Sequence, residues 1–273
     1  MVNVVLDVRK SIEANAAVYF EKAKKARKKV EGATAALERT EMKLQHLLSL
    51  QEEEKKKLSA QSEVKKAAAS RQGERLWFEK FRWFVSSEGF LCIGGRDAST
   101  NEIIIKKHAD SSDIVFHTEL SGSPFFIVKK DSNPSKVIGA ATIEEAAIAT
   151  ASYSRAWKAG LQSVEVYWVK PEQVTKEAKS GEYLSKGGFM IYGRKNSMHS
   201  RVELAIGVTG DGKVVGGPLT AVSASCLKSV RITQGDVKPS DAAKKIERIL
   251  GLAGYLDEII RALPAGEFKV LAN

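Results

Sequence analysis

The 273-residue sequence has few of the residues that build cross-linked or metal-held folds. Its two cysteines, Cys92 and Cys226, lie far apart, and each is flanked by apolar residues. We therefore expect reduced, buried thiols in a cytoplasmic protein, and no disulfide framework. The four histidines are scattered and form no Cys/His cluster, which argues against a zinc site. We expect neither a metal nor a cofactor.

Long apolar runs are also missing. No stretch approaches the roughly 18 consecutive apolar residues that a membrane-spanning helix needs. The opening residues, MVNVVLDVRK, lack the basic-then-apolar order of a signal peptide. The sequence therefore predicts a protein that makes no membrane contact.

Catalytic motifs are the third absence. The pair Gly94-Gly95 is not followed by the Gly-Lys-Ser/Thr that a Walker loop requires. The chain also lacks a Gly-x-Gly-x-x-Gly loop, a nucleophile elbow and a specific carboxylate pair. We therefore predict that the protein is not an enzyme. A nucleotide-processing enzyme built on the Gly94-Gly95 turn is kept as an alternative hypothesis.

Positive charge, in contrast, is abundant. The net charge is +10, and residues 9–82 carry 19 Lys or Arg against 11 Asp or Glu. Within this segment Lys22, Lys25 and Lys29 recur on one helical face, and residues 22–30 include no acid. A solvated helix usually mixes both signs along a face. The pattern favours a basic arm that lies on phosphates, and a solvated coiled-coil face is the alternative.

The same segment is rich in helix formers and has a heptad repeat. Small side chains precede leucines along this seam, which passes through Ala16, Tyr19, Ala23, Ala26, Val30, Ala33, Leu37, Thr40, Leu44 and Leu47. The repeat fails beyond Leu50, so we predict an antiparallel helical hairpin that reverses near residues 49–54. The alternative is one continuous helix that dimerises. A helix from residue 11 to about 48 would reach roughly 55 Å.

From Gly89 onward the pattern changes to short β-branched and aromatic runs separated by turn signals. TGDGK, near residue 211, predicts a hairpin. Thr142 and Glu145 suggest a capping box at the start of one helix, and Ser240 and Gly251 bracket another. We predict an α+β fold: a mixed sheet of six or seven strands with flanking helices in residues 83–273, preceded by a coiled-coil arm in residues 1–82.

Four segments of this sequence resemble the RNA-binding domain of the NFACT family of ribosome-associated quality-control factors. The resemblance is carried by WFEKFRWFVSSEGFLCIGGRDASTNE (77–102), TIEEAAIATASYSRAWKAG (142–160), VYWVKPEQVTKEAKSGEYLSKGGFMIYGRKN (166–196) and, more loosely, DEIIRALPAG (257–266). The segment DVRKSIEANAAVYFEKAKKARKKVEGA is similar to the start of the family's middle coiled coil. The resemblance therefore covers nearly the whole chain.

Two departures from the family pattern limit what can be carried over. Where the family usually has His-Ala-Asp-x-x-Gly-Ala, this chain has His117-Thr-Glu-Leu-Ser-Gly-Ser123, so its acid, Glu119, is one carbon longer. The family's large N-terminal domain, which grips tRNA, and its helix-hairpin-helix module have no counterpart here. We interpret the sequence as either a fragment or a short family member.

The resemblance implies a factor that recognises large ribosomal subunits obstructed by peptidyl-tRNA. Its partners would be the ribosomal RNA of the large subunit, tRNA, and a protein that binds the coiled coil. The expected mechanism is electrostatic grip of phosphates together with recognition of RNA shape. Alternatives are a coiled-coil scaffold that binds proteins, a homodimer formed through the seam, and a DNA-binding protein, because phosphate contacts alone do not distinguish DNA from RNA.

Candidate contact residues are mostly cations near the ends of predicted elements, where functional contacts concentrate. Asp97 is expected to cap the helix that begins at Ala98, after a tight turn at Gly94 and Gly95. The four tryptophans could stack on bases, but their spacing favours the core. The predicted RNA contacts are Lys22, Lys25, Lys29, Arg96, Lys106, Lys107, His117, Lys129, Lys130, Lys176, Lys179, Lys186, Arg194 and Lys195.

Overall fold

The computed structural model describes residues 4–71, 76–177 and 188–271, and the chain divides into two compact units, residues 1–63 and 64–273. Helix α1 (Ile12–Arg71) is continuous through residues 49–54. The predicted hairpin is therefore wrong, and the chain adopts the continuous helix that was the alternative. The segment Ser-Leu-Gln-Glu-Glu-Glu at 49–54 consists largely of good helix formers and has no Gly or Pro to end a helix.

The heptad seam of α1 faces solvent. Val30, Leu37, Leu44 and Leu47 expose between 57% and 64% of their surface. Continuous apolar exposure of this kind is unusual in a monomer. The seam therefore leaves a leucine stripe available to a partner helix.

A short N-terminal segment folds back on the first turns of α1. The buried Asn15 side chain accepts a hydrogen bond from Asp7 N at 2.9 Å and donates to Asp7 O at 3.0 Å. Tyr19 Oη donates to Val5 O at 2.7 Å and accepts from Val5 N at 3.0 Å. These paired hydrogen bonds hold residues 5–7 against the start of α1. One pair involves Tyr19, a residue of the heptad seam.

The second unit contains a six-stranded antiparallel sheet. Its spatial order is β1-β2-β4-β3-β5-β8. The strands, in chain order, are β1 (Arg82–Val85), β2 (Leu91–Gly94), β3 (Ile114–Thr118), β4 (Phe126–Lys129), β5 (Ser163–Val169) and, after the small sheet described next, β8 (Asn196–Arg201).

Two further sheets lie within the described ranges. One has two strands, and the other has four in the order β10-β9-β11-β12. Their strands are β6 (Val174–Thr175), β7 (Met190–Ile191), β9 (Leu204–Thr209), β10 (Val214–Gly217), β11 (Cys226–Val237) and β12 (Phe268–Leu271). Every strand pair within the described residues is antiparallel, so the α+β class is confirmed but the mixed sheet is not.

Six helices accompany the sheets in the described part of this unit. They are α2 (Ala98–His108), α3 (Ala140–Ser152), α4 (Arg155–Lys158), α5 (Leu219–Ser225), α6 (Pro239–Leu250) and α7 (Leu256–Ala262). The predicted hairpin around TGDGK is confirmed as β9–β10, and Gly251 ends α6 with a φ of 69°.

Two predicted helix starts are wrong. Helix α3 begins at Ala140, so Thr142 lies inside it, and the Thr142 backbone N–H donates to Glu88 Oε2 at 2.9 Å. Glu145 is buried, and its carboxylate accepts from Ser87 N at 2.9 Å. Helix α6 begins at Pro239, which places Ser240 one residue past the start. In both cases tertiary partners or a proline replace the local cap that the sequence suggested.

The six-stranded sheet is covered on both faces. Ala-rich α3 packs against β3, β5 and β8, and its small side chains allow close approach to the larger apolar cluster around Phe84, Phe116 and Phe126. Alternate strand residues form a second cluster with Ile104 of α2. The free thiol of Cys92 lies in the larger cluster, where burial raises its pKa, whereas the free thiol of Cys226 is half-buried.

In the part of the chain that the structure describes, we find no helix that combines the length and the apolar character needed to cross a bilayer.

Candidate nucleic-acid interface

The start of α2 is fixed by a reciprocal cap at Asp97. The Asp97 carboxylate accepts from Thr100 N at 2.8 Å, and the backbone N–H groups of Asp97 and Arg96 donate to Thr100 Oγ1 at 2.9 and 2.8 Å. The hydrogen bond from Thr100 N holds the pKa of Asp97 below its ordinary value. The sequence therefore forms a stable helix start directly after β2.

Gly94 and Gly95 are required by space and not by backbone angle. A Cβ added at Gly94 would lie 2.3 Å from the Phe126 ring, and one at Gly95 would lie 1.8 Å from Asn101 Oδ1. Neither glycine has a positive φ. The buried Asn101 amide then accepts from Phe125 N at 3.1 Å and donates to Ser123 O at 3.3 Å. These contacts hold the segment 119–125 against the start of α2.

A cleft of about 400 Å³ opens between that segment, the start of α2 and the ends of β3 and β5. We call it the His117 cleft. Aromatic and small polar side chains line it, including His117, Phe125, Tyr167, Phe189, Ser121 and Ser123.

His117 forms one wall of the His117 cleft. Its ring centroid lies 4.1 Å from that of Phe125, and its Nδ1 lies 3.3 Å from Tyr167 Oη. Burial lowers the pKa of His117 to about 4. The imidazole is therefore neutral near pH 7, where it can stack or form hydrogen bonds but cannot act as a cation toward phosphate.

Two lysines lie over aromatic rings at the cleft. Lys195 Nζ is 4.3 Å from the Tyr167 ring centroid, and Lys176 Nζ is 5.1 Å from that of Phe189. Burial raises the pKa of the Tyr167 phenol, which therefore stays protonated. A cation next to an aromatic ring that lines a cleft is an arrangement that suits a phosphate with an attached base.

Carboxylates currently pair with these lysines. Lys195 Nζ lies 2.5 Å from Glu119 Oε1. Glu102 bridges Lys106 at 2.8 Å and Lys176 at 2.7 Å, and hydrogen bonds from Lys106 and then Lys176 lower the pKa of Glu102 to about 2. Exposed pairs of this kind contribute little to stability. Phosphates can therefore replace the carboxylates at small cost.

Three predicted contacts bind oxygens of the protein itself. Arg96 donates to the backbone oxygens of Arg261 at 2.6 Å, Phe81 at 3.0 Å and Lys80 at 3.2 Å. Lys129 is 93% buried and pairs with the fully buried Asp113 at 2.5 Å.

Lys130, the third of these residues, donates to the backbone oxygens of Lys136 at 2.6 Å and Pro134 at 2.8 Å, which closes a loop. Because these groups already hold protein oxygens, we assign none of them to the RNA contact at the His117 cleft.

The other predicted contacts divide into three groups. Lys107 and Arg194 are exposed and form no side-chain hydrogen bond or ion pair within residues 4–71, 76–177 and 188–271. Lys22, Lys25 and Lys29 are exposed along α1, where Lys22 lies 5.3 Å from the Tyr19 ring. Lys179 and Lys186 lie outside the described residues.

Sequence analysis missed three residues of this region. Tyr167 and Phe189 looked like ordinary strand residues, although the alternation of β5 places Tyr167 opposite His117 across the sheet pair. Arg155 packs against the segment 119–125, since a Cβ at Gly122 would lie 2.9 Å from Arg155 Nε. The pairing of β3 with β5 brings Tyr167 next to His117, a residue 50 positions away. No local pattern in the sequence reveals such a neighbour.

Metal binding has no support at this site. Across the ranges that the structure describes, no three His, Cys, Asp or Glu side chains lie together in an arrangement that could hold a metal ion.

The family model described as the NFACT protein RNA binding domain matches residues 80–193. Over 203 residues the chain is 41% identical to the archaeal Rqc2 homolog aRqcH of Methanocaldococcus jannaschii. The matched region covers 72% of this chain and 30% of that protein. The chain is 39% identical over 188 residues to the ribosome quality control complex subunit NEMF of Homo sapiens, covering 67% and 16% of the two chains.

The ribosome quality control complex subunit 2 of Schizosaccharomyces pombe is 34% identical over 197 residues, covering 71% of this chain and 18% of that one. Among solved structures, the C-terminal part of the fibronectin/fibrinogen-binding protein of Streptococcus suis matches with a TM-score of 0.38 and 17% identity over 48% of this chain and 47% of that chain. The chain spans between 16% and 30% of the length of the three sequence relatives described.

Proposed function

We propose, since residues 80–193 of this chain belong to the RNA-binding domain of the NFACT family, that the chain is the RNA-binding part of a ribosome quality control factor. The human relative is named as a ribosome quality control complex subunit, and the archaeal relative is named as an Rqc2 homolog. This chain would bind RNA without catalysing a reaction.

The observation that carries the proposal is the composition of the His117 cleft. All residues that line it lie between Gly95 and Ile191, inside the range that matches the RNA-binding family. Phosphates would lie beside the cleft, at Lys176 and Lys195, where they would replace Glu102 and Glu119, and at the exposed Arg194. An unpaired base would stack on the partly exposed Phe189, near the neutral His117.

The finer proposal concerns which RNA is bound. We propose that the chain recognises large ribosomal subunits obstructed by peptidyl-tRNA, in the cytoplasm, through ribosomal RNA and tRNA. Folded RNA is read mainly through its backbone and shape, so few base-specific contacts are needed. The basic face of α1 at Lys22, Lys25 and Lys29 would add phosphate contacts of its own.

A charge reversal at the cleft tests the proposal. The double variant Arg194→Glu, Lys195→Glu should lose RNA binding, because two phosphate contacts become repulsive. The matched control is the double variant Lys245→Glu, Arg248→Glu. Both control residues are exposed on α6, and replacing one lysine and one arginine by glutamate changes the net charge by the same amount. Co-sedimentation with purified large ribosomal subunits, over a range of salt concentrations, measures the difference.

The two double variants separate local contact from overall charge. The proposal predicts that the Arg194/Lys195 variant stays in the supernatant while the Lys245/Arg248 variant sediments like the unmodified chain. Equal sedimentation of both variants would overturn the His117 cleft as the RNA site. Failure of the unmodified chain to sediment at low salt would overturn the proposed function itself.

The exposed leucine seam of α1 favours a second candidate function, self-association as a coiled-coil scaffold. Leu44 lies on the seam and Leu48 lies off it, and both are more than half exposed. If the seam pairs two copies, light scattering should give a dimer mass that Leu44→Glu abolishes and Leu48→Glu leaves intact. A monomer mass for the unmodified chain would remove this candidate.

A further inference from the structure

A second cleft, also of about 400 Å³, opens at β1, β10 and α7. We call it the Arg82 cleft. Its lining includes one exposed tryptophan and four basic residues: Trp77, Lys80, Arg82, Arg96 and Arg261. Four of these five side chains are cationic, and the family-model match at residues 80–193 excludes both Trp77 and Arg261. The Arg82 cleft shares Arg96 and Tyr153 with the His117 cleft, and its other lining residues do not line that cleft.

The two central guanidinium groups are held by neutral atoms. Arg82 Nη1 donates to Leu263 O at 3.2 Å, and its guanidinium carbon lies 4.0 Å from the Tyr153 ring centroid. Arg96 donates to three backbone oxygens, as described above. Within the described residues, neither guanidinium lies within ion-pair distance of a carboxylate. Burying a cation without a counter-ion is costly, so the local charge is left unbalanced.

Unused hydrogen-bond donors accompany this charge. A guanidinium has five N–H donors, and described residues accept one from Arg82 and three from Arg96. Guanidinium N–H groups are arranged as a fork that can match two oxygens of one phosphate. Two carboxylates line the cleft: Glu79 pairs with Lys213 at 2.6 Å, and Glu258 makes no ion pair with Arg82 or Arg96 among the described residues.

The electrostatics agree with this geometry. Burial, followed by the repulsion from Arg82, lowers the pKa of Arg96 to about 10. Burial also lowers the pKa of Arg82. An anion bound in the cleft would stabilise both of these charged groups.

An exposed indole supplies the second half of the cleft. Trp77 is 45% exposed, whereas Trp157 in the core is 2% exposed. The Trp77 ring stacks on His108 at a centroid distance of 4.5 Å and an angle of 19°, which orients the indole without burying it. An oriented, exposed aromatic ring beside free phosphate-binding donors matches the two chemical parts of a nucleotide.

We propose that the Arg82 cleft binds one unstacked nucleotide of single-stranded RNA, with the base against Trp77 and the phosphate between Arg96 and Arg261. This assignment rests on the proposed RNA-binding function and adds a second contact point to it. An acidic peptide would satisfy the arginines but would not require the indole.

The test compares three single variants in binding to a short single-stranded RNA oligonucleotide, measured by fluorescence anisotropy across a salt series. Arg261→Ala and Trp77→Leu change exposed side chains, and Arg96 still reaches the unchanged backbone oxygen of residue 261. Arg248→Ala is the matched control, because Arg248 occupies the last turn of α6 as Arg261 occupies that of α7.

The two variants should fail in different ways. Arg261→Ala should reduce the slope of log K against log salt by about 0.7, the value for one phosphate contact of a single strand. Trp77→Leu should weaken binding on the order of tenfold with the slope unchanged, since stacking is not ionic. Arg248→Ala should leave affinity and slope at the values of the unmodified chain.

Each other outcome is decisive. If the unmodified chain binds the oligonucleotide and both cleft variants match Arg248→Ala, the Arg82 cleft is not an RNA site, while the proposed function stands. If only Arg261→Ala weakens binding, the base contact with Trp77 is overturned, and the proposed single-nucleotide site with it, while the proposed function stands. If the unmodified chain binds no RNA, the proposed function fails and this inference fails with it.

Discussion

Arg96 shows how a side chain that the sequence offers as a ligand contact can also hold the fold together. Its guanidinium ties together Lys80, Phe81 and Arg261 through their backbone oxygens. Removing it leaves these oxygens without a charged donor. We predict that Arg96→Ala lowers the free energy of unfolding by roughly 2–4 kcal/mol.

Urea denaturation measures this effect, with Arg194→Ala as the control. Arg194 is exposed, and its replacement should change stability by less than about 0.5 kcal/mol. If Arg96→Ala proved as stable as Arg194→Ala, the structural role of Arg96 would be refuted.

His117 gives the fold a pH dependence with a definite sign. Its pKa is about 4 in the folded chain, because burial disfavours the imidazolium, against an ordinary value of 6.5. Between these values the unfolded chain binds a proton that the folded chain does not. The free energy of unfolding should therefore fall as pH falls from about 6.5 to about 4, and this contribution should then level off.

The variant His117→Gln tests that sign. It should lose less stability than the unmodified chain when urea midpoints are compared at the two ends of this pH window. An NMR titration of the His117 ring gives the pKa directly. A midpoint close to 6.5 would show that the imidazole is solvated and does not form a buried wall of the His117 cleft.

At the scale of elements, the length of α1 distinguishes a continuous helix from the antiparallel hairpin that the sequence suggested. Spin labels at positions 39 and 63 should be about 36 Å apart in a continuous helix, given 1.5 Å per residue. A hairpin that reverses near residue 51 would bring them to roughly 10 Å, the spacing of packed helices. Labels at positions 23 and 39 should be about 24 Å apart in either case and serve as the control.

Which elements could be predicted depended on how local their determinants are. The Asp97 cap and the TGDGK hairpin rest on residues within five positions of one another, and both were found. Strand β11 was missed because its burial changes irregularly along twelve residues and its pairing shifts at two bulges. The start of α3 was misplaced because the backbone N–H and the hydroxyl of Thr142 both donate to Glu88, a residue 54 positions away.

At the scale of the whole molecule, the resemblance to the NFACT family that the sequence predicted is confirmed for the RNA-binding domain. The individual contacts were less accessible. Lys129 and Lys195 are both lysines next to strands, yet one is buried on Asp113 and the other lies over Tyr167 at a cleft. Their different roles depend on strand pairings, which no local pattern in the sequence specifies.

Net charge predicts how the whole chain should respond to salt. If about five phosphates are engaged, log K for RNA should fall against log salt with a slope of about −4. Measuring the RNA affinity at one temperature, from low to moderate salt, gives this slope. A slope near zero would mean that the positive charge of the chain is not used in binding.

The central claim is that RNA lies at the His117 cleft. Its most direct test is photo-cross-linking, with a benzophenone amino acid at position 194 or, as control, at position 245 on the exposed face of α6. Each protein is irradiated on large ribosomal subunits, and RNA adducts are quantified. If RNA lies at the His117 cleft, position 194 should form adducts and position 245 few. Equal yields at the two positions, or adducts at position 245 alone, would contradict it.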